Sequence, residues 1–153
     1  MQFARAILLR EKFQWPSDMQ VYDPVFSAID RMAINAFNCN CLSVNEQCRR
    51  TVDRPTLFFM PRCPFFLFDN LLAANWNSAN MKKMIILGNS FLRLVQDPTF
   101  DSTQKIKAVV TRDNMLREIP LPETAIQSWQ RYGDRVYMKA FDGLSWHFFG
   151  LKN

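Results

Sequence analysis

Two short runs of consecutive apolar residues, at positions 56–60 and 84–87, place the strongest constraint on how this chain can fold. Because neither run alternates apolar with polar residues, each predicts a strand that is buried on both faces, as in a parallel sheet. Between them, Pro64 stands where the first turn of a helix tolerates proline, and residues 65–76 present a wide apolar helical face. Together the three segments predict a β-α-β unit with parallel strands.

Helical and extended patterns alternate along the rest of the chain. Ser27 and Asp30 form the capping-box pattern of a helix start, and the proline after Asp23 biases that residue away from helical geometry. The elements predicted outside the β-α-β unit are, in chain order, a helix at 3–13, a strand at 19–22, a helix at 28–37, a strand at 41–44 and a helix at 89–95. Towards the C-terminus they are a strand at 106–111, with a helix through Arg117 as the open alternative, a loop at Pro120 and Pro122, and strands at 136–138 and 146–149.

Strands that alternate with helices predict an α/β fold: a single three-layer domain over residues 1–153 with a mostly parallel sheet. A length of 153 residues with 48% hydrophobic content suits one domain with an ample core. Four cysteines and no recognisable leader predict free thiols in a reducing compartment, cytoplasmic or nuclear. The apolar runs are too short for a membrane span, so we expect no membrane as partner. The net charge of +5 is spread along the chain, so we expect no nucleic acid as partner.

The carboxyl ends of the predicted parallel strands form the candidate ligand-binding rim. Loops splay apart at this edge of a sheet, and helix N-termini present free N–H groups there. If the strands belong to one parallel sheet, the residues that follow them lie together. The candidates are Asp23 after the first strand, Arg62 and Cys63 after the third, Gly88, Asn89 and Ser90 after the fourth, and His147 in the C-terminal aromatic run.

Each of these candidates also has a purely structural interpretation. Asp23 suits a ribose contact, but without a Gly-x-Gly turn its place before proline favours a simple turn. Cys63 precedes a helix, as reactive thiols do, yet Asp69 stands where a cysteine phosphatase carries its phosphate-binding arginine. Ser90 lacks the Gly-x-Ser-x-Gly context of a nucleophile, and both Asn89 and Ser90 suit either a helix cap or a contact with a ligand's polar groups. His147 lies among aromatic residues, which favours a packed, hydrogen-bonded histidine.

The remaining cysteines do not form a recognised metal-binding pattern. Cys39, Cys41 and Cys48 have the spacing Cys-x-Cys-x6-Cys, which differs from the paired ligands of structural zinc sites. The residues alone therefore predict no metal site and no catalytic group, and they leave the ligand of the rim undefined.

Six ordered blocks of sequence carry a resemblance to a known family. The blocks are residues 21–26, 43–46, 55–63, 70–76, 87–91 and 140–149. In this order they resemble the family named for sensitivity to red light reduced. The resemblance implies a Rossmann-like domain and a regulatory protein, associated in plants with circadian rhythm and red-light signalling and in animals with haem biosynthesis. It implies no established reaction, and the cofactor stays unknown.

Two departures from the family pattern bear on the fold and the rim. The family usually has a strand and a Gly-containing turn before the helix at 3–13, so the resemblance implies an N-terminally truncated domain. It also tends to carry histidine where this chain has Arg62. A guanidinium does not give up its proton near neutral pH, so we expect no acid–base role at that position.

Two functions are compatible with these features. The first is non-enzymatic regulation of light signalling or circadian rhythm through protein partners, with a small-molecule ligand as an addition. The alternative is a sensor or enzyme that binds a nucleotide or S-adenosylmethionine at the rim around Asp23, Asn89 and Ser90. The missing Gly-rich turn favours the first function over the second.

Overall fold

A parallel β-α-β unit is present in each of the two parts of the chain. In the computed structural model the chain divides into Met1–Glu46 and Gln47–Asn153, and each unit is described by itself. The structure describes residues 2–14, 18–97, 104–122 and 143–150. Both units contain helices as well as strands, which confirms the α/β class. The single domain over 1–153 stays a prediction, and the predicted strand at 136–138 lies outside the described residues.

The first unit contains α1 (Gln2–Lys12), β1 (Met19–Val21), α2 (Ala28–Ala36) and β2 (Cys39–Cys41). β1 and β2 pair in parallel, with Met19 opposite Cys39. The Ser27 hydroxyl accepts the N–H of Asp30 at 3.2 Å, and the Asp30 carboxylate accepts the N–H of Ser27 at 2.8 Å. This confirms the predicted capping box at the start of α2. The second strand begins two residues earlier than the predicted 41–44 segment.

An arginine secures the C-terminal end of α2 in this unit. The guanidinium of Arg10 donates to the carbonyl oxygen of Phe37 at 3.0 Å and lies 3.4 Å from Cys39 Sγ. A cation at this end of a helix also interacts favourably with the helix dipole. Beneath it, Ile7, Ile34 and Cys39 form the buried core of the unit.

The second unit is built around a four-stranded sheet with the order β3-β4-β6-β5. Its elements are β3 (Thr56–Met60), α3 (Phe65–Ala74), α4 (Ser78–Met81), β4 (Met84–Asn89), α5 (Phe91–Gln96), α6 (Gln104–Thr111), β5 (Leu116–Pro120) and β6 (Leu144–Phe149). β3 and β4 are parallel, so the predicted β-α-β unit is confirmed. β6, however, runs antiparallel to both β4 and β5.

The expectation of one mostly parallel sheet is therefore wrong for the described residues. The four-stranded sheet is mostly antiparallel, and β1 pairs with β2 in a separate two-stranded sheet. The physical reason is that β6 runs in the opposite direction to β4. The apolar pattern of a single strand predicts burial but does not predict the direction of the strand relative to its neighbours. The Rossmann-like three-layer arrangement is accordingly not confirmed.

Residues 104–111 form a helix, so the predicted strand at 106–111 is wrong, and the alternative of a helix is confirmed as far as Thr111 but not through Arg117, which lies in β5. Ile106 and Val109, one helical turn apart, are fully buried on the same face of α6. The Asp69 carboxylate accepts the N–H groups of Lys105 at 2.8 Å and Ile106 at 3.2 Å. Asp69 thus caps the start of α6, and this long-range contact outweighs the β-propensity of the branched residues in the segment.

The core of the second unit encloses a buried amide group. Phe68, Leu71 and Leu72 of α3 are completely buried, and Asn75 is buried beside them at the end of the helix. Its Oδ1 accepts the N–H of Val52 at 2.8 Å. Its Nδ2 donates to the carbonyl oxygens of Arg50 at 2.7 Å and Leu71 at 2.9 Å. One side chain therefore fastens residues 50–52 to the end of α3.

We expect Asn75→Ala to destabilise the chain by about 3 kcal/mol, because it leaves buried backbone groups of Val52 and Leu71 without a partner. Chemical denaturation followed by circular dichroism measures the effect. The matched control is Asn70→Ala on the same helix, since Asn70 makes one exposed hydrogen bond to the Gln47 carbonyl. Equal stabilities of the two variants would show that the buried amide does not hold this segment.

Candidate functional site

Asn89, at the carboxyl end of β4, organises the loop that follows β3. Its Oδ1 accepts the N–H of Arg62 at 2.8 Å, and its Nδ2 donates to the carbonyl oxygen of Cys63 at 3.1 Å. Arg62 has the left-handed value φ 55°, which is uncommon for a residue with a side chain. Three predicted rim residues thus lie together, and the amide of Asn89 is used to hold the loop.

Gly88 serves the packing of the core at this edge. A Cβ atom at this position would lie 2.7 Å from Cε1 of Phe68 and 3.0 Å from the carbonyl oxygen of Met60. Phe68 is completely buried and has little room to move away. Glycine is therefore required because two neighbouring segments approach closely.

A carboxylate from the edge strand β5 satisfies the first N–H groups of α5. Glu118 Oε2 accepts the N–H of Phe91 at 3.1 Å and of Leu92 at 3.0 Å. Ser90 also caps this helix, because its hydroxyl oxygen accepts the N–H of Arg93 at 3.1 Å. The predicted capping role of Ser90 is confirmed.

His147 occupies the centre of the same site. In the sheet register it lies opposite Ile86 of β4 and Glu118 of β5. Its Nδ1 is 3.2 Å from the Ile86 carbonyl oxygen, and its Nε2 is 3.5 Å from Glu118 Oε2. The imidazole packs against the Phe91 ring at a centroid distance of 4.1 Å and is completely buried. The interpretation of His147 as a packed histidine is confirmed.

The charge of Glu118 depends on these neighbours. Burial by itself raises the pKa of the Glu118 carboxyl, because it penalises the charged form. The facing His147 imidazole and hydrogen bonds from Ser90 and Leu92 outweigh burial, and the pKa falls from 4.5 to about 2. At neutral pH the site therefore contains a buried carboxylate whose side chain is only 2% exposed.

Ser90, Glu118 and His147 are residue types found in hydrolases, but their arrangement differs from a catalytic one. A nucleophile needs its hydroxyl against the base. Here both imidazole nitrogens face other acceptors, the Ile86 carbonyl and the Glu118 carboxylate. The Ser90 hydroxyl oxygen accepts the N–H of Arg93, and no hydrogen bond joins this hydroxyl to the imidazole among the described residues. The cluster links β4, β5, β6 and the start of α5, which is a structural task.

Asp23 belongs to a different sheet from the other rim candidates. It follows β1 of the first unit, and its Oδ1 accepts the N–H of Val25 at 3.0 Å, which is an Asx turn. The turn interpretation is thereby supported. Cys63 is partly buried against the core of the second unit. Ligand binding by Asp23, Arg62, Cys63, Asn89 or Ser90 stays a prediction.

The described residues contain neither a cluster of metal-ligating side chains nor a membrane-spanning helix. Within these ranges, no group of three or more His, Cys, Asp and Glu side chains is placed to hold a metal ion. The four cysteines are free thiols. None of the described helices has both the length and the apolar character needed to cross a bilayer.

Sequence reasoning missed Glu118, the residue on which the site depends. The sequence of residues 116–120 offers no signal, because Leu-Arg-Glu-Ile-Pro does not alternate apolar with polar residues, and only the structure places Glu118 on the same face of β5 as Leu116. Its partner His147 lies 29 positions further along the chain, beyond the reach of any local pattern.

Comparison with known proteins identifies the family. The family model of the SRR1 domain matches residues 1–148. The chain belongs to the SRR1 domain family. This SRR1 domain is 37% identical over 151 residues to Protein SENSITIVITY TO RED LIGHT REDUCED 1 of Arabidopsis thaliana. The matched region covers 97% of this chain and 52% of the Arabidopsis protein.

Animal relatives match shorter parts of this SRR1 domain. An SRR1-like protein of Mus musculus is 40% identical over 93 residues, which is 60% of this chain and 37% of the mouse protein. An SRR1-like protein of Drosophila melanogaster is 30% identical over 77 residues, 50% of this chain and 28% of the fly protein. The chain therefore spans about half the length, or less, of the curated relatives it matches. No solved structure gives a significant match.

We expect Glu118→Gln to remove part of the acid sensitivity of folding. Because the pKa of Glu118 is lower in the folded chain, the ionised carboxylate contributes stability above about pH 4.5, and this contribution is lost as the pH falls towards 2. At neutral pH the free energy of unfolding of the variant should be lower by up to about 3 kcal/mol. Between about pH 4.5 and pH 2 its stability should fall less steeply than that of the unmodified chain. Urea unfolding at several pH values measures both effects.

Glu11→Gln is the matched control, because Glu11 is exposed on α1. The control should retain the pH dependence of the unmodified chain. A Glu118→Gln variant with an unchanged pH profile would contradict the assigned role of the carboxylate.

Proposed function

We propose that this SRR1 domain is a non-enzymatic regulatory module of light signalling that acts by binding protein partners. The observation that carries the proposal is the match to the Arabidopsis protein over nearly the whole chain. The name of that relative links it to sensitivity to red light. At 37% identity the two sequences have diverged, yet the match extends across both units of this chain.

The chemistry of the rim supports a role without catalysis. The best candidates for acid–base work, Glu118 and His147, are buried and are in contact with each other. Asn89 and Ser90 hold a loop and a helix start. Groups that are buried in this way stabilise the fold and are out of reach of a substrate in solvent.

Exposed apolar side chains in the first unit support binding to a protein partner. Val25, Ile29 and Met32, before and on α2, are exposed by 81%, 78% and 72%. Large apolar side chains that cluster at a surface mark interaction sites, since burying them on a partner is favourable. α2 itself contributes only Ile34 to the core of its unit, which leaves its other apolar residues available.

The test is a chimera of the Arabidopsis relative in which the matched region is replaced by this chain. We expect the chimera to restore red-light sensitivity to near the normal level in plants that lack the relative, measured as seedling elongation under red light. A second chimera with Ile29→Ser and Met32→Ser should fail to restore it. Val44→Ser is the matched control, because Val44 is also exposed in the first unit but lies outside α2.

Protein blots show whether each chimera accumulates, so that loss of function is separated from loss of protein. A chimera that accumulates normally and leaves the plants insensitive would overturn the proposal. Restoration by the doubly substituted chimera would leave the signalling role intact and refute binding through α2.

Several finer assignments stay predictions for this chain. These are a role in circadian rhythm, a link to haem biosynthesis, a cytoplasmic or nuclear location, and the alternative of a nucleotide or S-adenosylmethionine sensor at the rim.

A further inference from the structure

A cleft of about 610 Å³ lies in the second unit, at the edge of the sheet opposite to Asn89. Trp76 follows α3, Lys82 precedes β4, Arg112 follows α6 and Gly150 follows β6, and all four line the cleft. Since β3 and β4 begin at this edge, the cleft is separate from the predicted rim at their carboxyl ends. We call it the Trp76 cleft. Its volume is within the range of small-molecule sites.

Positive charge collects around the indole ring of Trp76. Lys105 Nζ lies 4.3 Å from the ring centroid and Arg112 Cζ lies 5.7 Å from it. Both are cation–π distances, and such contacts restrain long side chains that would otherwise sample many rotamers. Arg112 is thereby held beside the cleft without being neutralised.

The two cations that line the cleft are not neutralised by carboxylates in the described part of the chain. Within those residues, neither Lys82 nor Arg112 forms an ion pair or a side-chain hydrogen bond. Asp113, the one carboxylate of the lining, is exposed and likewise has no ion pair among the described residues. Two positive groups against one negative group leave a net attraction for an anion.

The rest of the lining suits an apolar or planar body attached to that anion. Met81 is buried, and Trp76 and Met115 are partly buried against the core, so they form an apolar wall. Gly150 adopts φ 67°, and a Cβ atom there would lie 3.0 Å from Cγ of Lys82. Glycine at this position therefore leaves space for the stem of Lys82 along the cleft.

We propose that the Trp76 cleft binds an organic phosphate. Arg112 and Lys82 hold the phosphate group, because a guanidinium offers paired donors to phosphate oxygens and an ammonium adds a point charge. Trp76 and Met115 pack against the apolar or planar part of the ligand. This site is independent of the proposed signalling role, which depends on protein contacts in the first unit.

The experiment uses the full chain and two pairs of probes that differ only in the phosphate group: AMP with adenosine, and flavin mononucleotide with riboflavin. Isothermal titration calorimetry should show saturable binding of at least one phosphate ester. Its dephosphorylated partner should bind at least about tenfold more weakly. Raising the salt concentration should weaken the binding, because partly exposed charges are screened.

Four variants locate the site. Arg112→Ala and Lys82→Ala should each weaken binding of the phosphate ester by about tenfold or more. Lys107→Ala should bind normally, because Lys107 is exposed on α6 and does not line the cleft. Arg62→Ala removes an exposed cation from the predicted rim and should also bind normally. Thermal unfolding of each variant confirms that it is folded.

Three outcomes would overturn the proposal. They are the absence of binding by both esters at concentrations up to about 5 mM, equal affinity for the esters and their dephosphorylated partners, and unchanged binding by Arg112→Ala. Loss of binding by Arg62→Ala alone would place the ligand at the rim instead. None of these outcomes bears on whether the chimera restores red-light sensitivity, so the two proposals fail separately.

Discussion

The insertion of β6 between β4 and β5 is the constraint on which the second unit depends. As a strand paired on both sides, β6 buries Leu144, Ser145, His147 and Phe149. A histidine in this position costs free energy unless its ring nitrogens have partners. Nδ1 has the Ile86 carbonyl oxygen as its partner at 3.2 Å, whereas Nε2 makes no hydrogen bond among the described residues and faces the Glu118 carboxylate at 3.5 Å. Glu118 in turn accepts two N–H groups of α5. Strand pairing, the buried charge and the start of a helix are thus coupled.

Polar side chains at the ends of elements repeat this arrangement elsewhere in the unit. Asn75 binds the backbone of residues 50–52, Asp69 caps α6, and Asn89 holds the loop after β3. Each satisfies backbone groups of a segment that is distant in sequence. Loops and helix ends leave such groups unpaired, and burial requires that they be paired. This explains why side chains that suit a ligand site in the sequence are engaged in the fold.

The two edges of the four-stranded sheet differ in how their polar side chains are engaged. At the carboxyl edge of β3 and β4 the polar groups bind one another and the backbone. At the opposite edge, Lys82 and Arg112 line a cleft beside Trp76. In parallel α/β sheets ligands gather at the carboxyl edge, where loops diverge. Here two of the three strand pairings are antiparallel, so carboxyl ends of strands lie at both edges.

The sequence by itself determined the parallel strand pair of the second unit, the start of α2 and the family. Consecutive apolar residues at 56–60 and 84–87 predicted the parallel pair, and Ser27 with Asp30 predicted the start of α2, because strand burial and helix capping depend on near neighbours. The six ordered blocks indicated the family that the comparison shows. The tertiary structure alone decided the direction of β6, the choice between strand and helix at residues 106–111 and the partnership of Glu118 with His147. All three depend on contacts between residues far apart in the chain, whose free energies exceed the local preferences that a sequence pattern expresses.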